Sequence, residues 1–99
     1  MSVLTLIENW EGDFKKTSYE TLSYAKDVAN QLNTDLIVLT LGSTQPNQLI
    51  EYGAYKVINI SNLKFETTTN KVISDLCVDI IQEHEINTTI IANTNVGKS

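Results

Sequence analysis

Twelve acidic against seven basic residues give this 99-residue chain a net charge of −5, with no basic stretch longer than Lys15-Lys16. That argues against phosphate-backbone binding, which rests largely on clustered Lys and Arg, while leaving open one nucleotide held by backbone amides. The length suits one domain and no second. At 41% hydrophobic residues with one Pro and four Gly, the composition is that of a globular chain, not a disordered one.

The single cysteine, Cys77, excludes an intramolecular disulfide and fits a reducing compartment. The opening Met1-Ser2-Val3-Leu4-Thr5-Leu6-Ile7-Glu8 lacks a basic leader, and its apolar run is too short for a signal peptide. No segment approaches the ~20 apolar residues that cross a bilayer. The expectation is a soluble, cytoplasmic domain.

Residues 3–7 form a nearly continuous apolar run, broken only by Thr5, which predicts a strand buried on both faces of a parallel sheet. A polar stretch follows, with Gly12-Asp13 available for a turn. Thr17 and Glu20 then have capping-box spacing. From there Leu22, Ala25, Ala29 and Leu32, with Val28 beside them, make one face of a helix whose alanines permit close approach to a sheet. Asn33, tolerant of left-handed geometry, ends it.

A second buried strand is predicted at residues 36–41, ended by Gly42-Ser43. Pro46-Asn47 starts a short helix through Tyr52 that Gly53 stops. Residues 56–60 read as a shorter, more polar strand suited to a sheet edge. Val72, Ile73, Leu76, Cys77, Ile80 and Ile81 recur at helical spacing, so a second long helix runs from Thr67 or Thr69 to Glu83 or His84. The fourth strand is predicted at residues 88–92.

Strand–helix alternation with connections this long requires parallel strands and right-handed crossovers. The expected class is α/β: an open parallel sheet with flanking helices, strand order 3-2-1-4. Its switch point lies between the carboxyl ends of strands one and four, where ligands of such sheets usually sit. Ligand-edge candidates are therefore Glu8, Asn9, Asn93, Thr94, Asn95, Val96 and Gly97. With the apolar Ile90-Ile91 on the outermost strand, the sheet is expected to lack its last strand and helix, leaving a domain over residues 1–99 that is incomplete and prone to self-association.

Gly97-Lys98-Ser99 has the end of a P-loop but Ala92 where its first glycine belongs, so the plainer reading is a loop that ends a strand. Trp10 sits among Glu8, Asn9 and Glu11 at the ligand edge; it folds onto Phe14 or Tyr19, a partner subunit buries it, or, less favoured, a small molecule stacks on it. Trp10 and Glu11 are the partner-interface candidates. His84, the only histidine, ends a helix between Glu83 and Glu85, where a cation suits the dipole. Catalysis or metal binding would need converging partners, and none is visible. Cys77 reads as a buried, inert thiol, and Asp75 with Asp79 as a solvated face. With one His and one Cys so placed there is no catalytic triad. The expectation is no catalytic residue, no metal and no enzyme.

Several segments in order resemble the N-terminal domain of the electron transfer flavoprotein α subunit. Ser2-Val3-Leu4, Ile7-Glu8-Asn9-Trp10-Glu11-Gly12 and Phe14-Lys15-Lys16 resemble the opening of bacterial α subunits, where an acid closes the first strand. Ser18-Tyr19-Glu20 and Ser23-Tyr24-Ala25 are similar to the next helix. Tyr52-Gly53-Ala54-Tyr55-Lys56-Val57 is similar to the family's Gly-Ala-Asp-Lys-Val step, with Tyr55 where Asp is usual. Asn93-Thr94-Asn95-Val96-Gly97-Lys98 resembles the loop after strand four.

The resemblance implies an adenine-nucleotide-hydrolase-like (Rossmann-like) fold and an FAD-carrying heterodimer that relays electrons from flavin dehydrogenases. In that family FAD is held mainly by the C-terminal domain of the α subunit, which this sequence lacks. AMP, in many members, sits in the β subunit. The resemblance thus implies a scaffold that packs on the β subunit and on its own C-terminal domain and binds no cofactor itself. A second resemblance, to universal stress proteins, implies a free-standing nucleotide-binding domain. That family carries a longer Gly-x-x-Gly signature, of which only Gly97 is present, and an Asp where Glu8 stands. A third expectation is a ligand-free interaction domain with an apolar patch around Ile90, Ile91 and Val96.

Overall fold

A computed structural model describes residues 2–91. Seven elements follow in order: β1 (Ser2–Leu6), α1 (Lys16–Gln31), β2 (Asp35–Leu41), α2 (Gln48–Glu51), β3 (Lys56–Ile60), α3 (Asn70–Glu83) and β4 (Ile86–Ile91). All pairings are parallel, in the order β3-β2-β1-β4, as the strand–helix alternation requires. No helix among the described residues is long and apolar enough to cross a membrane.

β1 and β2 lie at the centre, which explains their unbroken apolar runs: every residue of β1 is buried, as are residues 36–41 of β2. Alternate side chains feed two cores. Val3, Ile7, Leu36 and Val38 pack with Leu22, Ala25 and Ala29 of α1 and Leu49 of α2. Leu4, Leu6, Ile37, Leu39 and Leu41 pack with Ile73, Cys77 and Ile80 of α3 on the other face. Each fully buried Leu contributes about 1.5–3 kcal/mol. The fully buried Thr5 hydroxyl in the middle of β1 is paired, its Oγ1 donating to the Ile90 carbonyl at 2.9 Å.

Helix boundaries depart from the sequence reading in instructive ways. The Thr17–Glu20 capping box does not form, because α1 begins one residue before Thr17. Ser18 does the work instead: its Oγ accepts the Lys15 amide at 3.1 Å and donates to the Glu8 carbonyl at 2.7 Å. Glu20 pairs with exposed Lys16. Leu32, expected on the buried face, is 55% exposed, since α1 has already ended and Asn33 turns left-handed at φ 55°. Val72 is also exposed. Ile73 and Ile80 mark the centre of the buried stripe, and at 3.6 residues per turn Val72 lies well round the helix from it. The α3 cap is Thr69, whose side chain accepts the Val72 amide.

β4 begins two residues earlier than expected, at Ile86. Glu85 takes φ 52° directly after the His84 cap, so the chain reverses into the strand without a longer loop. A register shift between Ser2 and Val3 accommodates the early start. The expected end of the strand at Ala92 lies outside the described residues.

Candidate functional site

After β1 the chain makes a two-residue hairpin. The Trp10 amide donates to the Asp13 carbonyl at 2.8 Å, and the Asp13 amide returns to the Trp10 carbonyl at 3.0 Å. Both central residues have positive φ, Glu11 at 53° and Gly12 at 90°, as the primed hairpin turns demand. Glycine meets that demand freely. Glu11 does not, so something must hold it.

Three segments do. Asn9, 3% exposed, aims its amide at β2: Nδ2 donates to Thr40 Oγ1 and to the Leu41 carbonyl, while Oδ1 accepts the Gly12 amide at 3.1 Å. The loop after β2 contributes Thr44, whose amide and hydroxyl both donate to the Gly12 carbonyl at 3.1 and 3.2 Å. A Cβ on Gly12 would stand 2.8 Å from Thr44 Cγ2, so the close approach itself needs glycine. The loop after β3 contributes Glu66, whose Oε1 accepts the Glu11 amide at 2.8 Å.

These loops enclose a cleft of about 520 Å³ at the carboxyl ends of β1, β2 and β3, lined by Asn9, Glu11, Gly12, Thr44, Lys64 and Glu66 among others. The Glu66 carboxyl is held below its ordinary range by the Glu11 amide first and its own backbone amide next, with Lys64 adding a smaller pull against desolvation. Gly42, at φ 59°, forms part of the cleft wall; a side chain there would run into the Leu63 carbonyl.

Many of the amides along this edge bond within the chain. Besides the five just described, the Gly42 amide donates to Ile60 O, Ser43 to Asn59 Oδ1, and Gln45 to Ser43 Oγ. A dinucleotide phosphate needs free amides aimed at it.

The ligand-edge candidates divide accordingly. Asn9 lines the cleft with its side chain fully engaged in the fold. Glu8 is half-buried at the end of β1, its Oε1 covered and without a hydrogen-bond partner. Asn93, Thr94, Asn95, Val96 and Gly97 lie outside the described residues, as does the Gly97-Lys98-Ser99 motif. The cleft opens on the β2 and β3 side of β1. Thr44, Lys64, Glu66 and Thr67 were missed by sequence reasoning, and only Gly42-Ser43 after a strand signalled a loop there.

Trp10 stacks on neither Phe14 nor Tyr19, which pair with each other at 6.1 Å between ring centroids. Trp10 is 36% exposed, with Lys15 Nζ 4.9 Å from its ring centroid. Glu11 is exposed beside it. Burial raises the Cys77 thiol above its ordinary pKa. Asp75 is exposed and pairs with Lys71 at 3.4 Å, and Asp79 is exposed. His84 caps α3 through its backbone. No group of three potential metal ligands occurs among the described residues.

One curated relative is the electron transfer flavoprotein subunit alpha of Megasphaera elsdenii, 23% identical over 99 residues. The match takes in 97% of this chain and 29% of that protein, so the chain spans less than a third of the relative's length. The family described as "Electron transfer flavoprotein domain" matches residues 3–99, essentially the whole parallel sheet with its helices, and the chain therefore belongs to that family.

Proposed function

We propose that this chain is the N-terminal scaffold domain of an electron transfer flavoprotein α subunit. Its partner is the β subunit, and the two form an FAD-carrying heterodimer that relays electrons from flavin dehydrogenases in the cytoplasm. FAD is held by parts of the assembly outside this chain, and the chain alone is neither redox active nor an enzyme. Trp10 and Glu11 contribute to the partner interface. The observation that carries the scaffold role is the closed carboxyl edge: amides that would grip a phosphate instead tie the loops after β1, β2 and β3 to one another.

The test is a binding panel of AMP, ATP and FAD against the purified chain, read by thermal shift and absorbance, alongside titration with the β subunit. No shift with the three ligands, together with saturable β-subunit binding, is expected. A yellow preparation with one flavin per chain would sink the proposal. A clear shift with AMP or ATP alone would favour the free-standing nucleotide-binding domain instead.

A further inference from the structure

The Trp10 hairpin is built with more restraint than the fold needs. Trp10 belongs to neither core, and its ring remains partly exposed. Yet the turn that presents it contains a non-glycine residue at positive φ, and the loops after β2 and β3 join Asn9 in fixing it. Backbone strain held in place by surrounding bonds is characteristic of binding and switching sites. A rigid aromatic anchor is also what a tight interface uses, because little ordering entropy remains to be lost on association.

Lys15 adds chemistry to the shape. Its ammonium lies over the Trp10 ring, and no carboxylate of the described residues comes within ion-pair distance of it. Lys16 and Lys71 are each matched to an acid one helical turn away, whereas Lys15, like Lys26, Lys56 and Lys64, is not. The Lys15 hydrogen-bond donors therefore remain free for an acceptor brought from outside, at the rim of whatever encloses the ring.

We infer that the hairpin at residues 10–13 is a preorganised docking finger: Trp10 enters an apolar slot on the partner subunit, and Lys15 pairs with a carboxylate at that slot's rim. Asn9, Thr44 and Glu66 are positioning residues that hold the finger in its docking conformation. This rests on the reading that the β subunit is the partner, and it deepens that reading by stating the chemistry of the surface that receives the chain.

The test is calorimetric titration of the full chain with the β subunit at low and high salt, with a thermal melt of each variant. Trp10→Ala lowers affinity about 30-fold or more, the loss expected of an interface anchor, with little change in its own melting temperature. Trp10→Phe recovers part of that loss. Lys15→Gln lowers affinity several-fold and flattens its salt dependence, because the pair at the rim is gone. Glu66→Ala weakens binding although Glu66 does not enter the slot, since the finger must then be ordered on association. Wild-type binding with Trp10→Ala and Lys15→Gln indistinguishable from it overturns the docking finger and leaves the scaffold role intact. No binding by the wild-type chain overturns the scaffold role and the finger with it.

Discussion

The Glu66 carboxylate accepts the backbone amide of Glu11 at 2.8 Å, so the loop after β3 holds the hairpin after β1. The bond favours the ionised acid, and the Glu66 pKa is accordingly lowered. A depressed folded-state pKa contributes stability above the unfolded carboxylate pKa and loses it as the pH falls through the folded value. Glu66→Ala should therefore reduce stability at neutral pH, modestly because the group is exposed. The gap should close in acid. Urea melts of both proteins at neutral pH and at about pH 3 test this; a gap unchanged in acid would mean that the charge of Glu66 is irrelevant to the bond.

Asn9 carries a heavier share. It is buried, and its side chain satisfies the Gly12 amide and the Leu41 carbonyl together with the Thr40 hydroxyl. Asn9→Ala would leave two buried backbone groups unpaired, at about 1–3 kcal/mol each before any relaxation. We expect a total loss of about 2–4 kcal/mol in denaturant titration. A loss below about 0.5 kcal/mol would mean that water replaces the amide at no cost.

The sheet was legible because its central strands are buried on both faces and admit almost no polar residue. Val3, Leu4, Leu6 and Ile7, and then the unbroken 36–41 run, announced both strands and their parallel setting. Ala25 and Ala29 announced the close face of α1 in the same way. The turn was legible in Gly12, but its centre on Glu11-Gly12 was not, because Glu11 adopts a positive φ that its residue type disfavours. Glu85 hid the start of β4 for the same reason. Nor could any local pattern join Glu66 to Glu11, since only the sheet brings the loops after β3 and β1 together.

Cys77 lies on the α3 stripe against Leu4, Leu6 and their neighbours in the second core. Burial raises its pKa, which disfavours the reactive thiolate, and the residue is largely buried. Native protein at neutral pH should react with iodoacetamide only as fast as α3 opens, and fully once denatured. Rapid, stoichiometric labelling of the folded chain would contradict the packing of α3 described above.

The two edges of the sheet differ in how they resist further pairing. β3 begins with an exposed lysine, Lys56, and its Asn59 side chain ties back to Ser43, so a charge and a covering loop guard it. β4 contains no charged residue and no proline, and it pairs only with β1 among the described residues. Beside it, Ile91 and Val78 stand half exposed on a groove of about 250 Å³ that Leu6, Ile73 and Cys77 also line. An uncharged edge with apolar flanks is a template for another strand. The isolated 99-residue chain should therefore self-associate, with sedimentation velocity showing species larger than the monomer as concentration rises. Thr89→Lys, which sets a charge on that exposed strand beside the groove, should shift the distribution toward monomer without lowering the melting temperature by more than a few degrees. A wild-type chain that stays monomeric at high concentration would show that β4 is protected in some other way.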